Sequence, residues 1–479
     1  MIAPEIRRPL LADAVLSRLM DSVTGGAFLA GLGVFAGADN FDLAVLAALP
    51  FLAQVAQLPA VALLLKWQDR RRITVWSAAL ARGLLILIAL LLLMRPEWVR
   101  PGLLILVMAT IALLTVAATA AWNWWMRDLV PSAELGAFFG QRLRGATLVS
   151  LAAMLVGGAL LDRLSARGES ATGYAILFLV GAAAGLGGVY ALSRTPHSRP
   201  PPSPDAKRSL LLVPKAILQA PRPLMLALSL STLSASFALP FAAIFLLRSL
   251  GYSFLVVTVM AVVSQIAYLF GLRGWAYVSD RYGDRSLLAV TTSLLALVMA
   301  GWGLAGWGPG ALLTIWLTAL HFLAGFTMGG IELAHTNLLL RSAGQGPAAA
   351  HLAGLSLVRA VAGGFGVLAS GVLWQALGRG PLWTTELPWL GIWEFRGFQV
   401  LCAVAVVLCA ATSVPLRRMP AEDGGRTVDV ARAMRREVNQ MSSVAGIRGL
   451  IHAVSYYVEL LAWPFAARQE SGKASTKKP

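Results

Sequence analysis

The sequence predicts an all-α polytopic membrane protein with twelve transmembrane helices, and three observations support this fold class. The 479-residue chain has a mean hydropathy of +0.71, and 13% of its residues are charged, about half the share of a typical soluble domain. Apolar runs of about 20 residues, enough to cross ~30 Å of hydrocarbon, recur along most of the chain. These runs are continuous, whereas a transmembrane β-barrel would show alternating segments of about ten residues.

Short polar islands between the apolar runs set the limits of each predicted span. The expected spans are 13–36, 42–65, 73–94, 103–126, 146–163, 173–193, 222–247, 253–278, 286–307, 311–340, 351–377 and 397–415.

The distribution of Lys and Arg predicts the orientation of the chain. If the N-terminus is cytoplasmic, 29 of the 40 Lys and Arg residues fall in cytoplasmic islands and the tail, and seven fall in outer loops. An excess of positive charge marks the cytoplasmic side of a membrane protein. We therefore expect both termini in the cytoplasm, with the chain in the inner membrane of a bacterium. The net charge of +17 is then a topology signal, and no nucleic-acid partner is expected.

Changes in composition divide the chain into four parts. Residues 1–193 and 222–416 would each form a six-helix bundle, and the Pro-rich residues 194–221 would link them on the cytoplasmic side, with 193–209 extended. Residues 417–479 form a basic tail in which apolar residues recur every three or four positions. This pattern predicts an amphipathic helix that lies on the membrane or on the protein itself, with docking to a partner as the alternative.

The second half of the chain repeats polar residues of the first half. Their offset is 211 residues and then 214, and the longer loop "DRYGDRS", compared with "DRRR", accounts for the difference. Two six-helix copies with the same orientation are related by an axis along the membrane normal, as in some secondary transporters. The recurring pairs are Gln54 with Gln265, Asp69 with Asp280, Arg70 with Arg281, Asn123 with Asn337, and Arg127 with Arg341.

Two segments resemble the major facilitator superfamily, and the resemblance covers about residues 13–416. "SDRYGDR" is similar to its cytoplasmic loop motif G-x-x-x-D-R-x-G-R-R/K, and "WNWWMRDLVPSAELGAFFGQRLRG" (122–145) resembles a W-x-x-W-M-x-D-L-V-P segment of a bacterial branch without an assigned substrate. Two departures from the motif matter. The first-half loop has lost the glycine turn, and Ala276 stands where the second loop should have its first glycine.

The resemblance implies a cytoplasmic gate built from loop carboxylates and arginines at neighbouring helix ends. It pairs Asp69 with Arg127 and Asp280 with Arg341, and it places Gly283 at the loop turn. Three other loop arginines, Arg70, Arg281 and Arg285, would contact lipid headgroups. The alternative is that all these residues only set the topology.

Charged residues inside the spans are costly in hydrocarbon, so they are candidates for a substrate or proton pathway. Glu332 lies nine residues before Arg341, and Arg359 lies eight residues after His351. Glu332 and Arg359 should therefore both lie about 12–13 Å from the cytoplasmic side, on consecutive antiparallel helices. We predict that Glu332 and Arg359 pair, with His335 nearby, either as a proton-coupling device or as a static structural pair.

Further polar residues of the spans have two interpretations each. Asp21 would take part in the pathway or pair with Arg18, three residues earlier on the same helical face. Gln54 and Gln265, with Asn123 and Asn337, would line the pathway or join neighbouring helices. Arg82 is expected to extend to the inner surface.

The sequence therefore predicts a secondary transporter that moves a small solute across the membrane by alternating access, with proton coupling as one possible mode. The alternative is a transporter-shaped scaffold or assembly factor that does not transport. A transporter should line its centre with polar side chains from both halves, whereas a scaffold can fill it with apolar ones. No enzyme motif is found, and no cofactor or metal is expected. The expected partners are a small-molecule substrate and membrane lipid, and the protein is expected to be a monomer.

Overall fold

The structure is a computed structural model that describes residues 4–60, 69–131, 134–196, 204–306, 310–342, 348–378, 380–387 and 391–420. Within these residues, eleven helices are long and apolar enough to cross a membrane. They correspond to eleven of the twelve predicted spans, which confirms the all-α membrane fold. The amphipathic helix predicted for the tail lies outside the described residues.

The first predicted span consists of two helices rather than one. The first ends at Thr24, and the next begins at Gly26, whose φ of +53° is favourable for glycine and interrupts the helix. Neither piece alone is long and apolar enough to count as a span. The helices of the first half are α1 (Pro4–Thr24), α2 (Gly26–Phe35), α3 (Asn40–Ala60), α4 (Arg70–Met94), α5 (Pro101–Leu129), α6 (Leu135–Ser165) and α7 (Ser170–Ser193).

The second half follows a helix that the sequence did not predict. The linker was expected to be extended over 193–209, but residues from Pro204 onward form the helix α8 (Pro204–Gln219). Its apolar face packs on the start of the eleventh span, with Val213 and Ala216 against Ala350. This burial offsets the unfavourable Pro- and Ser-rich composition. The remaining helices are α9 (Arg222–Ser249), α10 (Phe254–Tyr282), α11 (Asp284–Gly303), α12 (Ala311–Ser342), α13 (Ala348–Leu377) and α14 (Gly397–Arg418).

A β-hairpin connects the last two helices. Its strands, β1 (Pro381–Leu387) and β2 (Gly391–Arg396), pair antiparallel. The hairpin lies on the loop between α11 and α12, because the N–H of Glu394 donates to the carbonyl of Gly306 at 2.7 Å and Trp393 Nε1 donates to Leu304 at 3.2 Å.

The helix packing repeats between the halves. In the first half α1 packs on α6 and α7, α4 packs on α5 and α7, and α3 packs on α5. The equivalent pairs all recur in the second half, where α9 packs on α13 and α14, α11 on α12 and α14, and α10 on α12. The halves meet through α3 with α13 and α6 with α10, two contacts that a twofold axis would exchange. This pattern supports the predicted pseudo-twofold pair of bundles.

The molecule has two ends, which are named here by their connections. The linker end carries the start of α1, helix α8 and the turn between α10 and α11. The hairpin end carries β1 and β2, together with the α2–α3, α6–α7 and α9–α10 connections.

Candidate functional site

A cavity of about 580 Å³ lies between the two halves. The first half contributes Arg18 of α1 and Leu143 of α6 to its lining, and the second half contributes residues of α9, α10 and α12. Polar groups reach it from both halves, because Arg18 of the first half and Gln265 and Tyr268 of α10 all line it. Gln54, the repeat equivalent of Gln265, is exposed in a short 3₁₀ turn of α3 and is not part of the lining.

Arg18 and Asp21 do not pair with each other, although they lie one helical turn apart. In the described part of the chain, neither forms an ion pair within 4.0 Å. Arg18 is half-buried and Asp21 is exposed. The helix that carries them is fixed to α6 by a hydrogen bond of 2.7 Å between the hydroxyls of Ser22 and Ser150.

The first half contains a buried charge cluster that the sequence interpretation missed. Asp13 is 3% exposed; its carboxylate lies 3.0 Å from Arg142 Nη2 and 3.6 Å from Arg82 Nη2, and it accepts a hydrogen bond of 2.9 Å from Ser17. These four residues form the Asp13 cluster. The expectation that Arg82 extends to the inner surface is wrong, because it also donates to Ser17 and to the carbonyl of Gly185.

The predicted pair of Glu332 and Arg359 is confirmed. Arg359 Nη2 donates to the two carboxylate oxygens of Glu332 at 3.2 and 3.4 Å, and its Nε lies 3.4 Å from the hydroxyl of Thr232 on α9. His335 lies one turn after Glu332 and is buried, with Nε2 at 2.7 Å from the hydroxyl of Ser231. The side chain of Glu332 remains 45% exposed, so the carboxylate stays accessible.

At the linker end, Arg341 pairs with Asp284 and not with Asp280 as predicted. Arg341 Nε lies 2.9 Å from Asp284 Oδ2, whereas Asp280 is exposed on the last turn of α10. The reason is the turn at Gly283, whose φ of +81° places Asp284 at the first position of α11, where it is completely buried.

Asn337 belongs to the same group and not to the predicted pathway. Its Nδ2 donates to Asp284 Oδ1 at 2.9 Å and to the hydroxyl of Ser279 at 3.0 Å, and Ser279 in turn donates to Asp284. Ser279, Asp284, Asn337 and Arg341 form the Asp284 cluster. Its acid follows Gly283, where the motif pattern has arginine, and this substitution is the signal that could have revealed it.

Asp69 of the first-half loop caps α4. Its carboxylate accepts from the N–H of Arg72 at 3.0 Å and pairs with the Arg72 side chain at 3.2 Å. The side chain of its predicted partner Arg127 lies outside the described residues. Arg70 donates to the carbonyl of Trp124 at 3.3 Å, while Asn123 is exposed.

The two arginines of the second loop differ in their contacts. Arg281 is exposed and lies 3.2 Å from the Tyr277 hydroxyl. Arg285 does not face lipid headgroups as expected, because its Nη1 donates to the carbonyl of Met419 at 2.7 Å and so caps the end of α14.

At the hairpin end, the carboxylate of Asp162 on α6 crosses to the second half. It accepts from the free N–H groups of Phe254 at 2.7 Å and Leu255 at 2.8 Å, the first two residues of α10. A carboxylate at a helix N-terminus is favoured by the helix dipole. The Phe254 ring enters the core of the first half, 6.1 Å from the Tyr174 ring. Asp162, Phe254 and Leu255 form the Asp162 latch.

A second set of contacts joins the halves at the same end, between α3 and α13. The N–H of Asn40 donates to Gln375 Oε1 at 3.1 Å, and Gln375 Nε2 donates to Asp39 at 3.3 Å. Close approach of these helices needs a glycine, because a Cβ atom at Gly371 would overlap that of Ala44.

Among the described residues, no group of three or more His, Cys, Asp or Glu side chains could hold a metal ion. Arg18, Gln265 and Tyr268 provide the cavity with groups that can form hydrogen bonds or ion pairs with a polar molecule.

Comparisons with known proteins give the same fold. A variant of the nucleoside transporter NupG has a TM-score of 0.65 at 14% identity, with 86% of this chain and 99% of that chain covered. A D-xylose–proton symporter has a TM-score of 0.63 at 14% identity, with 89% and 100% covered. A bacterial homologue of the human lysosomal transporter Spinster has a TM-score of 0.60 at 16% identity, with 86% and 96% covered. No curated protein matches the sequence.

The family model of the Major Facilitator Superfamily matches residues 14–370, which is most of the chain. That range includes the helices that surround the cavity. The chain belongs to the Major Facilitator Superfamily.

Proposed function

We propose that this membrane transporter works as a secondary transporter, moving a small solute by alternating access between two six-helix halves, residues 1–193 and 222–416. The observation that carries the proposal is the cavity between the halves, which Arg18 of the first half lines together with Gln265 and Tyr268 of the second. When the two halves rotate, the contacts of a solute that both of them hold change, and the affinity of the protein for that solute changes with them. A transport cycle needs such a change in affinity.

The cavity lining is mostly apolar, but it contains polar groups from both halves, and these groups favour a transporter over the scaffold alternative. A protein that only organises partners has no need for a guanidinium group in its centre, where charge is costly. The packing at the hairpin end is also consistent with a gate. There α3 meets α13 and α6 meets α10 through hydrogen bonds, and the ion pairs found among the described residues do not include one that crosses this boundary.

We further propose that the linker end faces the bacterial cytoplasm, as the Lys and Arg distribution predicts. The hairpin end then faces outward, and the described arrangement is closed toward the outside by the Asp162 latch. At the inner end, Asp69 would hold the first-half loop, and Asp284, in the role first expected of Asp280, would hold the second-half loop.

The test is transport by the purified full-length chain in proteoliposomes, with a panel of labelled solutes and an imposed pH gradient. We expect saturable accumulation of at least one solute above that in protein-free vesicles. Absence of transport for every solute, with the protein correctly inserted, would contradict the proposal and favour the scaffold.

The pair of Glu332 and Arg359 supports proton coupling. A carboxylate that is 45% exposed can exchange between its arginine partner and a proton, and only the charged form holds the pair. We expect Glu332→Gln to abolish the response of transport to a pH gradient while solute exchange without a gradient continues.

The matched control for this variant is Glu394→Gln, which removes an ion pair with Arg396 in the hairpin, away from the cavity. It should leave the response to the gradient unchanged. Gradient-driven transport by the Glu332→Gln protein at the wild-type rate would show that the pair is only structural.

A further inference from the structure

The charge of the central cavity indicates what kind of solute it takes. Among the described residues that line it, Arg18 is the one with a permanent charge. Arg18 lies five residues into the first predicted span, residues 13–36, or about 8 Å from the linker-end boundary of that span. In the described part of the chain it forms no ion pair, since Asp21 stays more than 4.0 Å away.

An arginine at this depth is expensive unless it meets an anion or water. Two other arginines inside the spans form ion pairs within the protein, Arg82 with Asp13 and Arg359 with Glu332. Arg18 is therefore available to a ligand in a way that these two are not.

The charged groups beside Arg18 leave this part of the protein positive overall. Arg18, Arg82 and Arg142 carry three positive charges against the two carboxylates of Asp13 and Asp21, so one positive charge is not balanced. A cleft with low-dielectric walls focuses such a charge onto its opening and raises the local concentration of anions.

The rest of the lining describes the body of the ligand. Leu143, Leu239 and Leu269 provide apolar surface, while Ser264 and Gln265 provide hydrogen-bonding groups. Ligand sites are commonly mostly apolar, with a few polar groups that fix the orientation.

We propose that the cavity binds a small organic anion, with its negative group on Arg18 and its apolar body against α9 and α10. This assignment rests on the proposed transport function and names its substrate class.

The test compares ligands that share the same hydrocarbon group and differ in the charge of their functional group. Butyrate, benzoate and 2-naphthoate are each matched with the corresponding carboxamide and with the amine in its ammonium form. Binding is measured as the rise in unfolding temperature of the purified full-length chain in detergent, titrated with each ligand. The variants are Arg18→Gln, Arg18→Lys and the control Arg100→Gln, an exposed arginine at the hairpin end.

We expect at least one carboxylate to stabilise the wild-type protein while its amide and ammonium counterparts do not. Arg18→Gln should weaken this binding tenfold or more, about the value of a charged hydrogen bond. Arg18→Lys should weaken it less, and Arg100→Gln should leave it unchanged. Unliganded unfolding temperatures of the variants close to that of the wild type would show that the fold is intact.

Three results would overturn the assignment: no carboxylate binds, an amide or ammonium ligand binds as tightly as its carboxylate, or Arg18→Gln retains full affinity. Transport of a neutral or cationic solute through the cavity would also overturn it, but would leave the transporter proposal standing. Carboxylate binding that depends on Arg18, without transport, would contradict only the transporter proposal.

Discussion

The two ends of the molecule use polar contacts in different ways. At the hairpin end, Asp162 of the first half binds the N-terminus of α10 in the second half, and Asn40 binds Gln375 across the same boundary. At the linker end, the Asp13 cluster lies entirely in the first half and the Asp284 cluster entirely in the second.

In the proposed transport cycle, this difference would separate contacts that break from contacts that persist. The Asp284 carboxylate is completely buried and satisfies several partners, so disrupting it would cost the stability of the second half. The Asp162 latch uses backbone N–H groups at a half-buried surface, which water can replace when the halves part. A rocking transporter needs both kinds, since each half must stay rigid while the boundary opens.

The largest effect is expected from locking the boundary. A Cβ atom at Gly363 of α13 would lie 3.2 Å from Phe51 Cγ of α3, where the Sγ of a cysteine at position 51 would be. In a disulfide, Cβ and the partner Sγ are about 3 Å apart. We therefore expect the double variant Phe51→Cys/Gly363→Cys to lose transport completely after oxidation.

Reduction should restore transport by this double variant, and each single variant should be insensitive to the oxidant. The native Cys402 and Cys409 are buried and can remain in place. Full transport by the oxidised protein, with the disulfide verified by mass spectrometry, would contradict movement at this boundary.

A smaller effect is expected on stability when the Asp284 cluster is removed. Asp284→Ala should lower the free energy of unfolding by about 2 kcal/mol, because Asn337 and Ser279 lose a charged partner. The ion pair adds little to this value, since Arg341 is 56% exposed. Denaturant unfolding in detergent measures the change.

The paired control is Asp280→Ala, at the position that the motif singles out. It should change the free energy of unfolding by less than about 0.5 kcal/mol, because Asp280 is exposed. Equal effects of the two substitutions would mean that the buried acid does not hold the second half together.

The smallest effect is expected at the Asp162 latch. Asp162→Asn should destabilise the closed hairpin end by about 1 kcal/mol, or about fivefold in population, because it removes the charge from the N-terminus of α10. Thr258, fully buried beside Gly158 at the same boundary, provides the reporter as Thr258→Cys. The measurement is its rate of reaction with a membrane-impermeant maleimide.

The control substitution is Glu169→Gln in the same connection, which should leave the labelling rate unchanged. A rate in the Asp162→Asn protein equal to that of the parent would show that the latch does not hold the boundary closed.

Most of the fold could be predicted from the sequence because charge is scarce and each polar island ends a span. The Glu332–Arg359 pair was predictable for a similar reason, since consecutive antiparallel helices fix the depth of both residues. The β-hairpin was missed, although Trp383, Thr385 and Trp393 lie in short β-prone runs separated by a turn.

The missed site residues depend on distant parts of the chain. Asp13 pairs with Arg142, which lies 129 positions later in the sequence, and Asp162 accepts a hydrogen bond from Phe254, 92 positions later. No local pattern indicates such partners. Asp284 was overlooked for the opposite reason, because the motif directed attention to Asp280, and the decisive factor was burial at the first position of α11.

The double glycine, Gly25 and Gly26, divides the first span into two helices with different contacts. The segment that bears Arg18 and the segment whose Gly31 receives the Phe254 ring are separate rods, joined at Gly25 and Gly26. In the proposed transport cycle, this break would let α1 tilt toward a bound solute while α2 keeps its contact with Phe254. Solute binding and opening of the hairpin end would then be separate movements, and a rigid helix in place of the glycines would couple them.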